Sequence, residues 1–354
     1  MKVNKMFLSI LWFTTIFSGC LTDPDVKMLY QSHTPEQLND GWEVSTPEIE
    51  GFDSAEIDRI YMDLYSEDLF PTARGLLIVR NGRLVAEAYC KDPADRDQFH
   101  AIQSATKSIT SMAMGVAIDE GLIDSVNQKV YEFIPEYFDN DIRKREITLY
   151  HALTMQTGLA FVNDDHTNEL INAKGSSVAY VLKKDLRFEP GSSFYYNDGD
   201  PQLISAVIQK VSGMSLEKFA YQHLFHPLGI HNYLWEKASD GVTFGAVGLW
   251  LTPRDMVKFG RLMAQNGSWN NQQILAADWI EESTSIHANT NYGYYWWKFE
   301  GDGGFQAIGR GEQVIYINQT ENLVVVLTTD SFSDEILSPG IRNLIYRAEA
   351  AIID

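Results

Sequence analysis

The sequence predicts an α/β (α+β) protein in which strands from both ends of the chain form one sheet, with a helical insertion between them. Two apolar runs flank Asn81-Gly82 near the start of the chain, and two more, at 313–317 and 323–327, lie near its end. Between them, residues 130–241 show mainly helical periodicity. With 354 residues, 45% of them hydrophobic, the chain is long enough to bury a large core.

These patterns divide the chain into four kinds of segment. They are a signal peptide at 1–20, a tether at 21–50, an α/β domain built from 51–130 and 246–354, and a helical insertion domain at 131–245. The tether is polar and contains several prolines, and we expect it to become ordered near Trp42.

The first twenty residues have the features of an export signal. Lys2 and Lys5 precede an apolar stretch at 6–18, which is short for a membrane span. Residues 17–20, at the end of this stretch, resemble a bacterial lipobox in which Cys20 becomes lipidated. We therefore expect an exported protein, lipid-anchored to a bacterial membrane at the periplasmic or cell surface. Cleavage for plain secretion and an uncleaved membrane anchor are the alternatives.

Charge and cysteine content restrict the partners. The formal net charge is −20, which argues against nucleic acid, because phosphates bind to basic surfaces. The two cysteines are Cys20 and Cys90, so no disulfide framework is expected once Cys20 carries a lipid. We expect a small-molecule substrate, and contact with a membrane through the lipid anchor only.

Local signals place individual elements along the chain. Asn81-Gly82 between two apolar runs predicts a β-hairpin over 75–90. Thr148 is a predicted helix N-cap, and Pro253 opens a further helix. A closing helix is expected over 339–352.

One helix carries a nucleophile pattern at its start. Ser104 and Lys107 are three residues apart at the beginning of a strongly apolar helix, so their side chains share one face. An amine beside a hydroxyl suits a serine nucleophile that has no histidine base. Because an apolar helix is buried, we expect burial to lower the pKa of Lys107 and to make its neutral amine accessible.

The same Ser-x-x-Lys spacing occurs a second time, at Ser215 and Lys218. There the serine follows a glycine and methionine and precedes Glu217, which is the pattern of a helix N-cap and first turn. The spacing alone is therefore a weak signal, and we interpret Ser215 as a structural residue.

Two further segments carry groups that suit acyl transfer. Tyr195 and Asn197 lie in a predicted turn, where the phenol can relay a proton and the amide can hold Lys107 or a substrate carbonyl. Gly309 and Arg310 lie at a glycine-rich strand, where a substrate can approach the backbone and an N–H can complete an oxyanion hole. Ordinary side-chain packing and an ordinary glycine-rich turn are the alternative explanations.

Together, and in this order, residues 104–108, 195–197 and 307–309 resemble the motifs of the serine β-lactamase and penicillin-binding-protein superfamily. The similarity is to its class C and esterase-type branch, which includes 6-aminohexanoate-dimer hydrolases, and it extends from about Phe52 to the end of the chain. It implies a β-lactamase-like fold, with an antiparallel sheet flanked by helices.

The resemblance also implies roles for individual residues. Ser104 would be the acylated nucleophile and Lys107 its base partner. Tyr195 would act as a second proton carrier, and Asn197 as an orienting amide. The predicted function is therefore an exported serine hydrolase, an esterase or amidase that works through an acyl-enzyme.

One departure affects the expected substrate. Where the family usually has Lys-Thr-Gly or His-x-Gly, this chain has Ala307-Ile308-Gly309, so a cation for a substrate carboxylate is missing unless Arg310 supplies it. This departure weakens a β-lactam or peptidoglycan assignment and fits an esterase or amidase better. It also motivates one alternative, a binding or sensor protein without turnover, and a β-lactamase or D-Ala peptidase is the other. No cofactor is expected. No metal site is expected either, because no acid or cysteine completes a zinc site with His223, His226 and His231 at the usual spacing.

Overall fold

The computed structural model describes residues 27–288, 290–299, 303–330 and 337–353. Its strands are β1 (Ala73–Arg80), β2 (Arg83–Tyr89), β3 (His100–Ala101), β4 (Leu234–Trp235), β5 (Leu249–Leu251), β6 (Ser268–Trp269), β7 (Gln272–Gln273), β8 (Trp297–Lys298), β9 (Phe305–Gly309), β10 (Gln313–Asn318) and β11 (Leu323–Thr329). Its helices are α1 (Ser54–Leu64), α2 (Thr106–Asp119), α3 (Val130–Phe133), α4 (Leu149–Leu153), α5 (Asn163–Asn172), α6 (Ser177–Leu182), α7 (Gly199–Ser212), α8 (Leu216–Ala220), α9 (Pro253–Ala264), α10 (Ala277–Thr284) and α11 (Pro339–Ala350). Cys20 and the expected signal peptide lie outside the described residues. None of the helices described is both long and apolar enough to cross a membrane.

The main sheet contains strands from both ends of the chain, which confirms the predicted fold class. Its strand order is β2-β1-β11-β10-β9-β8, and all neighbouring strands are antiparallel. The hairpin between β1 and β2 turns at Asn81 and Gly82, whose φ angles are 51° and 78°. Positive φ at both central residues is what a tight type I′ hairpin requires, and Asn-Gly meets that requirement with little strain.

Helices cover both faces of this sheet. On one face, α1 and α11 pack over a core that includes Ile60 and Val325. On the other face, α9 packs against β10 and β11 in a larger core that includes Ile109 and Val326. Neighbouring residues of β11 thus enter different cores, as the two-residue period of a strand requires.

The segment predicted as a helical insertion, residues 131–245, contributes to the larger core. Helix α2 contacts α7 and α8 of the insertion as well as β9 of the sheet, and its residues from Thr106 to Ala117 are all buried. Because α2 lies between these two parts of the molecule, any group at its start is positioned where sheet and insertion meet.

Several predicted helix starts are confirmed. Thr148 caps α4 by accepting a hydrogen bond from the N–H of His151, and Pro253 is the first residue of α9. Ser215 caps α8 by accepting from the N–H of Lys218, so the second Ser-x-x-Lys copy has the structural role expected for it.

The described part of the expected tether, from residue 27 onwards, is packed on the domain. The carbonyl of His33 accepts from the N–H of Glu87 in β2 at 2.8 Å. Trp42 is buried and its indole donates to the carbonyl of Arg254, whose guanidinium in turn pairs with Glu87 and Asp40. Arg254 of α9 therefore links this segment to the sheet, because it pairs with Asp40 in the segment and with Glu87 in β2.

Candidate active site

Ser104 and Lys107 meet where α2 begins. A short 3-10 turn, Gln103–Ala105, carries the serine and leads directly into the helix. Lys107 is one turn further and 1% exposed, and its Nζ donates a hydrogen bond to Ser104 Oγ at 2.9 Å. Ser104 itself is only half-buried. Gln103 has a φ of 50°, a strained value for a residue with a side chain, immediately before the serine.

Lys107 Nζ has three further neighbours. It lies 2.6 Å from Asp198 Oδ1, 3.3 Å from the carbonyl oxygen of Ala246 and 4.9 Å from the centre of the Tyr196 ring. Burial disfavours the charged amine, but the Asp198 carboxylate and the Tyr196 phenol outweigh it, so the pKa of Lys107 is raised. The prediction that burial lowers this pKa is therefore wrong, because it left out an acidic partner. Lys107 is an ammonium at neutral pH.

Tyr196, rather than Tyr195, is the tyrosine next to the lysine. The Tyr195 ring lies 4.8 Å from the Arg187 guanidinium and 6.4 Å from the Phe188 ring. Within the described residues, no contact joins Tyr195 to Ser104 or Lys107. The structure thus places the Tyr196 ring, and not the Tyr195 ring, beside Lys107.

Asn197 is also turned away from the reactive pair. Its Nδ2 donates to the carbonyl of Tyr195 at 2.9 Å, and its Oδ1 accepts from the N–H of Asp200 at 2.8 Å. The side chain is buried and fixes the turn that leads into α7. The position expected for an orienting amide beside Lys107 is occupied by the carboxylate of Asp198.

Helix α5 holds Asp198 in place. Thr167 donates from Oγ1 to Asp198 Oδ2 at 2.6 Å, and Asn163 Oδ1 accepts from the backbone N–H of Asp198 at 2.8 Å. One carboxylate oxygen therefore faces the threonine, and the other faces Lys107. Sequence reasoning missed this residue, although Tyr196-x-Asp198 has the same spacing as Tyr195-x-Asn197.

A second acidic residue, Asp200, lies in the first turn of α7. It is fully buried, and burial raises its pKa to about 7, even though Thr157 donates a hydrogen bond to Oδ1 at 2.6 Å. Its Oδ2 has no hydrogen-bond partner among the described residues. A carboxyl group in this setting holds its proton at a pH where an exposed one has lost it.

Strand β9 passes directly beside the loop that carries Ser104. A Cβ added at Gly309 would collide with the carbonyl oxygen of Ile102 and lie close to Gln103, so this contact requires glycine. By strand alternation, Ala307 shares the face of Gly309, and it is fully buried. Arg310 is exposed. The structure therefore brings Gly309 to the site and places an apolar side chain where the family usually has a cation.

The described residues hold no group of three or more histidine, cysteine, aspartate or glutamate side chains placed to bind a metal ion. In the histidine-rich segment, the rings of His226 and His231 lie 5.8 Å apart, and His223 lies near Glu120 instead.

Residues 72–339 match the family model described as Beta-lactamase. A curated relative, the 6-aminohexanoate-dimer hydrolase of Paenarthrobacter ureafaciens, is 22% identical over 295 residues, which cover 72% of this chain and 71% of that protein. A protein of Salmonella typhimurium named "Putative D-alanyl-D-alanine carboxypeptidase" is 24% identical over 226 residues. That match covers 56% of this chain and 52% of the relative, so the chain spans about half of its length.

The fold also has a match among solved structures. The "Putative 6-aminohexanoate-dimer hydrolase from Bacillus anthracis" superimposes with a TM-score of 0.70 at 20% identity, over 91% of this chain and 89% of that chain. The segment matched by the family model includes Ser104, Lys107, Tyr196 and Gly309.

Proposed function

The chain belongs to the Beta-lactamase family, and on this premise we propose that it is a serine hydrolase that cleaves an ester or amide through an acyl-enzyme. The observation that carries the proposal is the hydrogen bond of 2.9 Å from the buried Lys107 ammonium to Ser104 Oγ. The relatives named as hydrolase and carboxypeptidase support the reaction class.

In the first step, Tyr196 rather than Lys107 accepts the proton of Ser104, and it does so as the phenolate, whose negative charge the Lys107 ammonium stabilises. Lys107 is charged, because its pKa is raised by Asp198 and Tyr196 despite its burial, and an ammonium has no lone pair to offer. Its Nζ lies near both Ser104 Oγ and the Tyr196 ring, so it stabilises the negative charge that develops between them. Lys107 thus acts as a fixed cation.

The attack forms a bond between Ser104 Oγ and the carbonyl carbon and places a negative charge on the carbonyl oxygen. We assign the oxyanion to the backbone N–H of Ser104 and to a backbone N–H of β9 beside Gly309. The close packing of Gly309 on the Ser104 loop supports this assignment. Removing one such donor typically costs about 10²–10³ in rate.

The tetrahedral intermediate then breaks its bond to the leaving oxygen or nitrogen. Tyr196 returns the proton to that atom, so the alcohol or amine departs neutral and the acyl group stays on Ser104. Water attacks the acyl-enzyme with Tyr196 again as the base, and the proton passes back to Ser104 Oγ. The products are an acid and an alcohol or amine, and no redox partner is needed.

The buried Ala307 favours esters and simple amides over substrates that carry a carboxylate next to β9. A β-lactam or a D-Ala peptide presents such a carboxylate to a cation that this position does not provide. Nitrocefin hydrolysis at a rate comparable to ester hydrolysis would contradict this part of the proposal.

The chain offers a matched pair of variants for testing the nucleophile. Ser104 and Ser215 both have a lysine three residues later, but Ser215 caps α8. Incubation with a fluorophosphonate probe should label the wild type and Ser215→Ala equally and should not label Ser104→Ala. Labelling of Ser104→Ala at the wild-type rate, or no labelling of the wild type, overturns the proposal.

Labelling alone does not distinguish an enzyme from a binding protein that is acylated once. We therefore expect many molecules of product per molecule of protein when the wild type is incubated with a panel of simple esters. A single burst of alcohol release without further turnover contradicts the hydrolase and favours a sensor.

A further inference from the structure

Four aromatic rings lie together beside the reactive pair. They are Phe194, Tyr196, Tyr292 and Trp297, and we call them the aromatic patch. The Trp297 ring is 4.5 Å from that of Tyr292, 5.7 Å from that of Tyr196 and 6.5 Å from that of Phe194. Tyr292 is buried, whereas the other three are half-buried and keep part of their surface open to solvent.

The aromatic patch adjoins Ser104 and Lys107 through the Tyr196 ring. Lys107 Nζ lies 4.9 Å from the centre of the Tyr196 ring and 2.9 Å from Ser104 Oγ. The Phe194 and Tyr196 rings both pack against the Tyr292 ring, at 5.4 and 5.9 Å, so they lie on the same side of their segment. A substrate whose carbonyl carbon lies next to Ser104 therefore has rings within reach on the Tyr196 side.

Among the described residues, the charged side chain that contacts a ring of the patch is Lys107. The Lys107 ammonium over the Tyr196 ring is compensated by Asp198 at 2.6 Å. On β9, Phe305 and Ala307 present apolar side chains to the same core, and the Phe305 ring packs 5.4 Å from Trp296. An anionic group placed here loses its hydration without an unpaired cation among these contacts, and a cationic group competes for the ring faces with the Lys107 ammonium already over Tyr196.

We propose that the aromatic patch binds the leaving portion of the substrate, and that this portion is an uncharged, preferably aromatic, alcohol or amine. The inference rests on the proposed function, because it uses Tyr196 as the group that returns the proton to the leaving atom. The leaving atom must lie next to that phenol, so the substituent it carries lies along Phe194 and Trp297. Offset or edge-to-face contact with these rings stabilises an aromatic group beyond its burial alone.

A series of acetate esters tests the assignment, because every member forms the same acetyl-enzyme and differs only in its alcohol. We would compare kcat/KM for benzyl acetate with ethyl acetate, and for 3,3-dimethylbutyl acetate with its cationic isostere, acetylcholine. Where turnover is slow, the rate of alcohol release in the first turnover gives the same comparison. We expect benzyl acetate to exceed ethyl acetate about tenfold, and the neutral isostere to exceed acetylcholine.

Substitutions in the aromatic patch test whether its rings cause the preference for benzyl acetate over ethyl acetate. Trp297→Ala should bring the ratio of kcat/KM for benzyl acetate to that for ethyl acetate close to one, and Trp297→Phe should keep part of that ratio. Phe194→Leu is a second, milder variant. Tyr221→Ala serves as the matched control, because Tyr221 is a half-buried ring in a different cluster, 6.0 Å from Tyr233.

Different outcomes separate the two proposals. Equal kcat/KM for the benzyl and ethyl esters, a preference for acetylcholine, or a selectivity unaffected by Trp297→Ala overturns the assignment of the patch. Absence of alcohol release from every acetate, with Ser104 still labelled by the fluorophosphonate, overturns it as well. Loss of fluorophosphonate labelling in the wild type overturns the serine hydrolase itself.

Discussion

Lys107 Nζ lies 2.6 Å from Asp198 Oδ1, and both side chains are almost completely buried. An ion pair in such a setting is screened little by solvent, so the Asp198 carboxylate strongly favours the charged form of Lys107. In the proposed mechanism, this pair decides which group acts as the base at Ser104, because the lysine keeps its proton and the base role falls to Tyr196.

Replacing Asp198 by asparagine should move the alkaline limb of the pH–rate profile to lower pH. The raised pKa of Lys107 depends on the carboxylate, and burial lowers it once that charge is gone. Removing an opposite charge at this distance typically shifts a pKa by about 1–3 units. We expect kcat/KM of Asp198→Asn to decline above neutral pH, where the wild type is still active.

Asp255→Asn is the matched control for that change. Asp255 pairs with Lys258 at 2.8 Å within α9, and both groups are buried or nearly so. Losing this pair should lower the melting temperature but leave the alkaline limb where it is. An Asp198→Asn profile that coincides with the wild type contradicts the role of the carboxylate.

Replacing each of the two neighbouring tyrosines by phenylalanine tests which of them, Tyr196 or Tyr195, carries the proton. Tyr196→Phe removes the phenol that contacts Lys107 and should lower kcat/KM by about 10²–10⁴. Tyr195→Phe should have little effect, because that ring packs on Arg187 and Phe188. Steady-state hydrolysis of one ester by both variants is sufficient, and the reverse ranking would restore Tyr195 as the proton carrier.

Elements with local signals could be predicted from the sequence. The Asn81-Gly82 hairpin, the Thr148 cap and the start of α9 at Pro253 depend on residues within a few positions of each other. The proximity of Ser104 and Lys107 likewise follows from helix geometry at a spacing of three.

The rest of the site depends on contacts between distant segments. Asp198 is the main reason why the pKa of Lys107 is raised despite burial. This residue is far away along the chain and reaches Lys107 because α2 packs against α7. Whether Tyr195 or Tyr196 faces the lysine depends on how the segment before α7 is oriented against α2, which residue types alone do not determine. Packing of residues 27–50 on the sheet similarly depends on Arg254 in α9.

Asp200→Asn should stabilise the protein increasingly as the pH rises from 5 to 8. Burial raises the pKa of Asp200 from its ordinary value of 3.8 to about 7. Between these values the folded chain holds a proton that the unfolded chain has released, so the free energy of unfolding decreases with rising pH. Three units correspond to about 4 kcal/mol at most, and asparagine avoids this cost because it stays neutral.

Urea denaturation at several pH values measures this difference, since the other carboxyl groups are common to both proteins. Asp53→Asn serves as a control, because Asp53 is the exposed N-cap of α1. Asp53→Asn should change the free energy of unfolding without the increase between pH 5 and 8 that we expect for Asp200→Asn. A pH-independent difference between Asp200→Asn and the wild type would show that Asp200 is ionised throughout this range.

Gly309→Ala should impair catalysis through the backbone. The added Cβ would meet the carbonyl oxygen of Ile102, which cannot rotate away, so the loop carrying Ser104 must shift relative to β9. A displacement of about 1 Å in a catalytic group can cost about 10²-fold in rate, and we expect a loss of that order in kcat/KM. Gly340→Ala in α11 is the control, since its Cβ would find nothing nearer than 3.6 Å. Wild-type kcat/KM in Gly309→Ala would mean that β9 does not contribute to the oxyanion site, because a donor fixed against Ser104 cannot tolerate that shift.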